Sequence, residues 1–587
     1  MTKRHKSTNY KEIEKENHDF EKYYKLQKIF DNDNEYEKMM KAYKNPLKIT
    51  FSISNTKIGK GFENYMNKCE FKQKYQLSDG ILKKIDYLDS TYQLNCEKKD
   101  LRKSVQLNDF FKLITSGNEM GILTRQEIAS MIPVYYMDIQ KGDSVLELCA
   151  APGSKSVQIS NKLNSTGGGF LVANDIDQKR CYTLVHRLKS QNKPNIIILC
   201  GDARSTVYPV NFDKVLCDVP CCGDGTLRKN LKIWKNWQVN QCISLSSTQC
   251  DILRNGCVHA KIGGRIVYST CSMNPLENES VVKRVIDESK GSLKIISYAP
   301  LKGFISRPGL TNWKVFDKNF VQKQKSETNF FDNLDPSTQD IGLEKCVRIY
   351  PHDQDTGGFF LVVIEKVAEV PWIPKDKRSI KKDKRLPKIN REDPFIYMTP
   401  DWRQDWENVN KYFNFMTQIE SDNIFARSLP PQSAHITSKE IRKFFDAFKD
   451  KRQIKSMGTV VWRKIKLDPY FRFVTPSLEF MEPEINVKNH TMAFHGNDLF
   501  MRLMEKEYVE CSEITNTGVL CFEGKAPGPY IFKFKIPKID TEMYFSAWIG
   551  ATSVGLFVNK DIRTFLINLL DIKINEIPSD NQRCLPH

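Results

Sequence analysis

The chain has no run of ~18 consecutive apolar residues, which excludes a membrane-spanning helix. Its first residues, Met1-Thr2-Lys3-Arg4-His5-Lys6, are polar with no apolar stretch behind them, so no secretory leader is expected. There is no Cys-x-x-Cys pair and no His/Cys cluster at zinc-ligand spacing; Cys217, Cys221 and Cys222 lack a second pair, so no metal is expected. Sixteen cysteines scattered through a lysine-rich chain read as buried thiols in a reducing compartment rather than as a disulfide framework. The Gly-x-Gly-x-x-Gly fingerprint is missing, and with it any specific sign of a pyrophosphate cofactor. No internal repeat is evident.

What is present exceeds one core. A chain of 587 residues predicts two or three domains. The balance of 89 basic against 71 acidic residues, +18 in all, favours a polyanionic partner, most simply nucleic acid. Residues 1–45 read as a charged helical extension, with Phe20, Tyr23, Tyr24, Gln27 and Ile29 forming one docking face. Residues 46–110 open a small α/β region with a strand at 46–53. Across 111–365, buried strands are expected at Ser144–Leu148, Phe170–Ala173, Asn195–Leu199, Lys214–Cys217, Arg265–Ser269 and Gly358–Ile364, separated by turns and helical patterns. That alternation predicts an α/β fold with a mostly parallel sheet and covering helices. A basic linker follows at 366–389; its run 375–388 suits a nuclear import signal, a phosphate contact or a solvated spacer. Residues 390–587 regain β-branched and aromatic runs, as at 459–462 and 530–534, and read as a mainly β accessory domain.

The segment Cys149-Ala150-Ala151-Pro152-Gly153-Ser154-Lys155 is a tight strand-to-helix turn. Small residues there let the backbone approach a ligand, and the following helix start presents its amides to it. Asp175, 22 residues beyond Gly153, ends the second strand, where ribose hydroxyls are held in doubly wound folds. Asp202 ends the third strand and can accept from an adenine amino group, while Lys155 can pair with a carboxylate. Taken singly, each acid is equally a cap or turn residue. In this order on successive strand ends, they describe S-adenosylmethionine.

Two thiols sit just past apolar runs: Cys221 in Asp218-Val219-Pro220-Cys221, and Cys271 in Tyr268-Ser269-Thr270-Cys271-Ser272. The carboxyl ends of strands are where open α/β sheets put chemistry. Carbon C5 of cytosine is a poor nucleophile until a thiolate adds to C6 and breaks the aromaticity, which makes C5 enamine-like. Asp218 can share the charge that develops at N3 or the 4-amino group, and a second thiol can remove the C5 proton. The pair therefore points to methyl transfer onto a pyrimidine carbon.

At these residues the chain resembles the Sun-domain RNA cytosine-5 methyltransferases, most closely their eukaryotic multisite tRNA branch. The shared text runs from Gly121–Glu127 through Cys149–Lys155, 173–175, 218–226, 228–230, Trp234, Trp237, Tyr268–Pro275 and 308–309 to 356–360. The resemblance implies a Rossmann-like methyltransferase sheet and a cofactor site on 149–155, Asp175, Asp202 and Asp218. It makes Cys271 the nucleophile and Cys221 the group that assists product release; DNA cytosine methyltransferases reverse those roles. It also implies a PUA-like accessory domain over 390–587. At Trp548-Ile549-Gly550-Ala551 the chain departs from that branch, which tends to carry a basic residue after the tryptophan.

Between 228 and 237, bases and aromatics alternate beside the Pro-Cys loop. Arg228, Lys229 and Trp234 are expected to meet RNA, with Trp237 in the core. The target cytosine must leave its stack, which is easiest in loops and junctions and favours structured tRNA. The expected partner is RNA, tRNA first, with rRNA, mRNA or a silent RNA-binding role as alternatives. No membrane and no obligate protein partner are expected, and a nuclear monomer is the reading that the basic run and the resemblance give.

Overall fold

Val145-Leu146, Leu171-Val172-Ala173 and Ile196–Leu199 are apolar because their strands are covered on both faces. In this computed structural model, the described residues are 14–572 except 31, 79, 97–99, 102–103, 165–166, 324–339, 373–394, 414–419, 465–470, 482–489, 495–497, 516–521 and 523. The basic run 375–388, and with it most of the expected linker, lies outside them. The chain divides into two compact units. One comprises 1–47, 127–137 and 213–375; the other comprises 48–126, 138–212 and 376–587.

In the first unit, the sheet strands lie in the order Arg307–Pro308, Val347–Ile349, Phe359–Lys366, Ala260–Thr270 and Phe212–Asp218, with Leu293–Ile295 also on Phe359–Lys366. Phe359–Lys366 runs antiparallel to Ala260–Thr270, with Phe360 opposite Thr270 and Val363 opposite Val267. Leu293–Ile295 and Val347–Ile349, which come between them in the chain, also pair antiparallel with Phe359–Lys366, so this strand runs against all three of its neighbours. This is where the expectation of parallel pairing stops. Helices Val239–His259 and Glu279–Glu288 pack together beside these strands. Helix His18–Gln27, capped by the Asn17 side chain on Phe20 N, buries Phe20, Tyr23, Tyr24 and Gln27. The Phe20 and Tyr23 rings lie 5.3 and 5.5 Å from the Trp237 ring, so the expected docking face is a packed one.

In the second unit, Ser144–Glu147, Phe170–Asp175 and Ile196–Cys200 are parallel, with Ser144 opposite Phe170 and Leu171 opposite Ile196. Helices Ser154–Lys162 and Gln178–Lys189 make the crossovers that parallel pairing demands. Ile454–Met457, from the C-terminal part of the chain, adds antiparallel to Ile196–Cys200. A four-stranded sheet holds Leu82–Lys84, Thr91–Leu94, Ile49–Ile53 and Leu123–Arg125 in that order. Two five-stranded sheets occupy the C-terminal residues, accompanied by helices such as Lys439–Ala447 and Lys560–Leu570. One hydrophobic core runs from Phe51, Phe62 and Phe110 to Phe532, Phe545 and Phe565, so the 46–110 region and the chain's last helix share an interior.

Candidate active-site elements: the thiol pair and the strand-end loop

Cys221 and Cys271 are half-buried, with their sulfurs 3.4 Å apart. Fifty residues separate them in sequence, and the sheet brings them together: Cys271 follows the Ala260–Thr270 strand, and Cys221 follows the neighbouring Phe212–Asp218 strand. Val219 N donates to Ser269 O at 3.1 Å, which aligns the two strand ends. The loop backbones are then sewn together: Gly225 N donates to Cys271 O (2.9 Å) and Gly358 N to Gly225 O (2.8 Å). A β-carbon on Gly225 would lie 2.3 Å from Gly358 O and 2.8 Å from Cys271 O, so no other residue fits.

Buried acids hold this loop. Asp224, fully inaccessible, accepts from Met273 N (2.7 Å), Trp237 Nε1 (3.1 Å) and the Tyr24 hydroxyl. Glu277 accepts from Cys222 N (2.9 Å) and Gln249 Nε2 (3.1 Å), and the same Gln249 amide donates to Pro220 O (2.9 Å). Burial raises the carboxyl of Glu277 to about 7, with the neighbouring Asp224 adding to the effect. Arg348 and Glu279 form a bidentate pair at 2.6 Å with neither side chain exposed, and Arg348 donates again to Met273 O (2.9 Å). Asp218 is held by a hydrogen bond from Ser269 Oγ at 2.7 Å.

The Cys221 thiol is pushed well above the ordinary range, first by its hydrogen bond with Cys271, then by burial and by the carboxylates of Glu277 and Asp218. Either sulfur can be the donor in that contact, so the two thiols are placed to act on the same substrate atom pair.

The strand-end loop belongs to the second unit. Asn174 Nδ2 donates to Leu148 O and Gly201 O, both at 3.0 Å, and thereby ties three strand ends together. Asp175 is 1% exposed; its oxygens accept from Ala151 N and Asp177 N, each at 3.0 Å. Its carboxylate thus fixes the Ala150-Ala151 turn, and only its remaining lone pairs are left for a ribose. Gly153 takes a left-handed φ of 102°, where a β-carbon would meet Leu184 Cδ1 at 2.8 Å. The helix Ser154–Lys162 starts at Gly153, which has no side chain with which to cap it. Asp202 is paired through both oxygens with Arg204, at 2.9 and 2.7 Å. A helix start after a turn of small residues, with acids at two strand ends, fits an adenosine bearing an amino-acid tail.

Three of the sequence expectations divide here. Arg228 does not face solvent: its side chain is 1% exposed and donates to Asn45 O (2.9 Å), Pro46 O (2.9 Å) and Thr356 O (2.8 Å), besides pairing with Asp355. Trp234, 1% exposed, packs near Phe20. Both are corrected from RNA contacts to structural braces: a guanidinium with this many acceptors is compensated for burial, and an indole beside an aromatic helix goes inside. Lys229 is exposed.

Sequence reading missed Glu277 and Gln249. The signal was their density: 277–279 is Glu-Asn-Glu, and all three are fully buried. Spacing also hid a cluster of Cys222, Cys242 and Glu277, whose ligand-type atoms lie within 4.8 Å of one another. Glu277 Oε1 is already committed to two N–H donors there, and Cys222 Sγ lies 3.2 Å from Ser272 Oγ.

The family model described as 16S rRNA methyltransferase RsmB/F matches residues 134–302. The multisite-specific tRNA:(cytosine-C(5))-methyltransferase of Saccharomyces cerevisiae is 34% identical over 67% of this chain and 64% of its own length. The tRNA (cytosine(34)-C(5))-methyltransferase of Drosophila melanogaster is 28% identical over 97% of this chain and 87% of its own. The tRNA (cytosine(49)-C(5))-methyltransferase of Pyrococcus abyssi is 30% identical over 42% of this chain and 71% of its own. The chain thus spans just under two thirds of the yeast relative and most of the other two.

Proposed function

The chain belongs to the S-adenosylmethionine-dependent Sun-domain RNA cytosine-5 methyltransferases, and on that premise we propose that it forms 5-methylcytosine in tRNA with Cys271 as nucleophile and Cys221 as the group that releases the product. The observation that carries this reading is the pair of sulfurs at 3.4 Å.

The Cys271 thiolate adds to C6 of the cytosine, forming an S–C bond and moving the ring electrons toward C5. Asp218, steadied by Ser269, delivers a proton to N3 of the ring, which neutralises the negative charge that the addition places there. Bound S-adenosylmethionine would supply the methyl group, its S–CH3 bond breaking as the methyl passes to the enamine-like C5 and S-adenosylhomocysteine leaving as the neutral thioether. Cys221, its own proton passed to solvent, removes the C5 proton as a thiolate; the electrons of that C–H bond re-form the C5–C6 double bond and expel Cys271 as its thiolate. The buried acids Asp224 and Glu277 act on the loops that carry the thiols.

The choice of tRNA is supported by the names of the yeast, fly and archaeal relatives. Nuclear residence is supported by the basic run 375–388 and is read by microscopy of a tagged chain. The role assignment is tested on a denaturing gel. Cys221→Ala accumulates a slow protein–RNA band and Cys271→Ala does not; the opposite pattern reverses the two roles. Bisulfite sequencing of tRNA, rRNA and mRNA from cells with and without the protein reads the substrate directly, and loss of methylation confined to rRNA or mRNA overturns the tRNA assignment.

A further inference from the structure

We propose that backbone phosphates of the RNA substrate bind a lysine-lined cleft between the helix Lys57–Met66 and the hairpin formed by Gly528–Ile536 and Thr541–Ile549. The inference rests on the RNA-directed reading above and gives that substrate a second point of attachment within the second unit. The helix buries Phe62, Tyr65 and Met66 and presents Lys57, Lys60 and Asn64 to solvent at helical spacing, with Lys68 continuing the stripe just past its end. From Lys57 to Lys68 the stripe covers ~16 Å at helical rise, room for several phosphates.

The opposite wall is fixed by close approach. A β-carbon on Gly61 would lie 2.1 Å from Thr541 Oγ1 and 2.6 Å from Ile539 O, so the helix and the hairpin turn touch through a residue with no side chain. Above this contact opens a cavity of 630 Å³, whose charged lining is Lys57, Lys60, Lys68 and Lys538 against Asp540 and Glu542. Both carboxylates are answered by lysines outside that lining: Asp540 by Lys535 and Glu542 by Lys533, each at 2.7 Å. Lys538 is itself paired with Asp571, and Lys57 N donates to Glu479 Oε1 at 3.1 Å, so the cationic excess of the cleft is carried chiefly by Lys60 and Lys68. An open, cationic groove suits a polyanionic strand held by its backbone.

The test is the triple substitution Lys57→Glu/Lys60→Glu/Lys68→Glu in the full chain, assayed with unmodified tRNA. All three positions are exposed, so the melting temperature should be unchanged. The KM for tRNA should rise at least tenfold while kcat at saturating tRNA stays within twofold. The slope of log Kd against log salt should fall by about 2 to 3, roughly one per lost phosphate contact. The Lys57→Gln/Lys60→Gln/Lys68→Gln chain should show the same changes at smaller size, and it carries the test if the reversed charges impair folding. Wild-type Kd and salt slope in the variant would overturn the inference and leave the cleft to an acidic protein partner. A wild-type chain that binds tRNA at this cleft but methylates no RNA would instead count against the proposed function alone.

Discussion

The thiol loop of the first unit is held by a dense set of buried ionisable side chains, whereas in the strand-end loop of the second one buried acid, Asp175, works with an asparagine, two arginines and a glycine. Around Cys221 and Cys271, Asp224, Glu277, Glu279 and Arg348 are all inaccessible and hydrogen-bonded. Around 149–155, the fixing contacts include Asn174 to two carbonyls, buried Asp175 to two amides, Arg180 to Ala151 O, Arg187 to Ser154 Oγ, and the left-handed turn at Gly153. The contrast follows from what each loop must do. A nucleophile and a proton acceptor need set positions and set charge, and buried charges supply both because low polarisability strengthens every interaction there. A cofactor loop needs free amides and room, which side chains would fill.

Several measurements can break or sharpen this contrast. The largest effect is expected from Cys271→Ala: methyl transfer falls by three orders of magnitude or more, while isothermal titration shows S-adenosylmethionine affinity within twofold of wild type. A matching loss of cofactor affinity would mean the two loops are not functionally separable.

Asp224→Ala leaves Met273 N, Trp237 Nε1 and the Tyr24 hydroxyl without their acceptor. Unsatisfied buried groups cost about 1 to 3 kcal/mol each, so unfolding should become easier by ~3 kcal/mol or more in urea melts. Arg228→Ala should also destabilise, by ~3 kcal/mol, because Asp355 and three carbonyls lose their partner.

Glu277 gives the pH signature. Its folded-state carboxyl titrates near 7, above the ordinary 4.5, so between those values the folded chain holds a proton that the unfolded chain has lost. Its contribution is complete below pH 4.5 and is lost as pH rises to about 7, a span of roughly 3 kcal/mol. Glu277→Gln should remove that decline from a series of melts between pH 4.5 and 7.5; an unchanged slope would assign it elsewhere.

In the second unit, Gly153→Ala forces a β-carbon against Leu184 and places alanine at a left-handed φ. A cost of ~1 to 2 kcal/mol should weaken S-adenosylmethionine binding about tenfold without shifting the thiol adduct chemistry. The smallest effect is expected from Lys229→Ala, exposed beside buried Arg228: stability unchanged, tRNA affinity down two- to threefold, and a salt slope lower by about one.

Strand positions were legible because burial on both faces forces continuous apolar runs, and the six expected strands of 144–364 appear within a few residues of their observed ends. The motif residues were legible for the same local reason: Gly153 and the loop cysteines sit where strands end, and a strand end is visible in sequence. Direction was not, since Phe359–Lys366 reads alike parallel or antiparallel until the path of 271–358 is known. Nor was the split between Arg228 and Lys229, neighbours of like charge, because only the carbonyls of Asn45, Pro46 and Thr356, supplied from far along the chain, decide which cation is buried. By itself the sequence determined the alternating elements, the two thiols and the small-residue turn, all set by short-range sterics and hydrophobic pattern. The tertiary structure alone decided that the sulfurs are 3.4 Å apart and that Glu277 holds a proton near neutrality, because distance and desolvation depend on atoms that arrive from elsewhere in the chain.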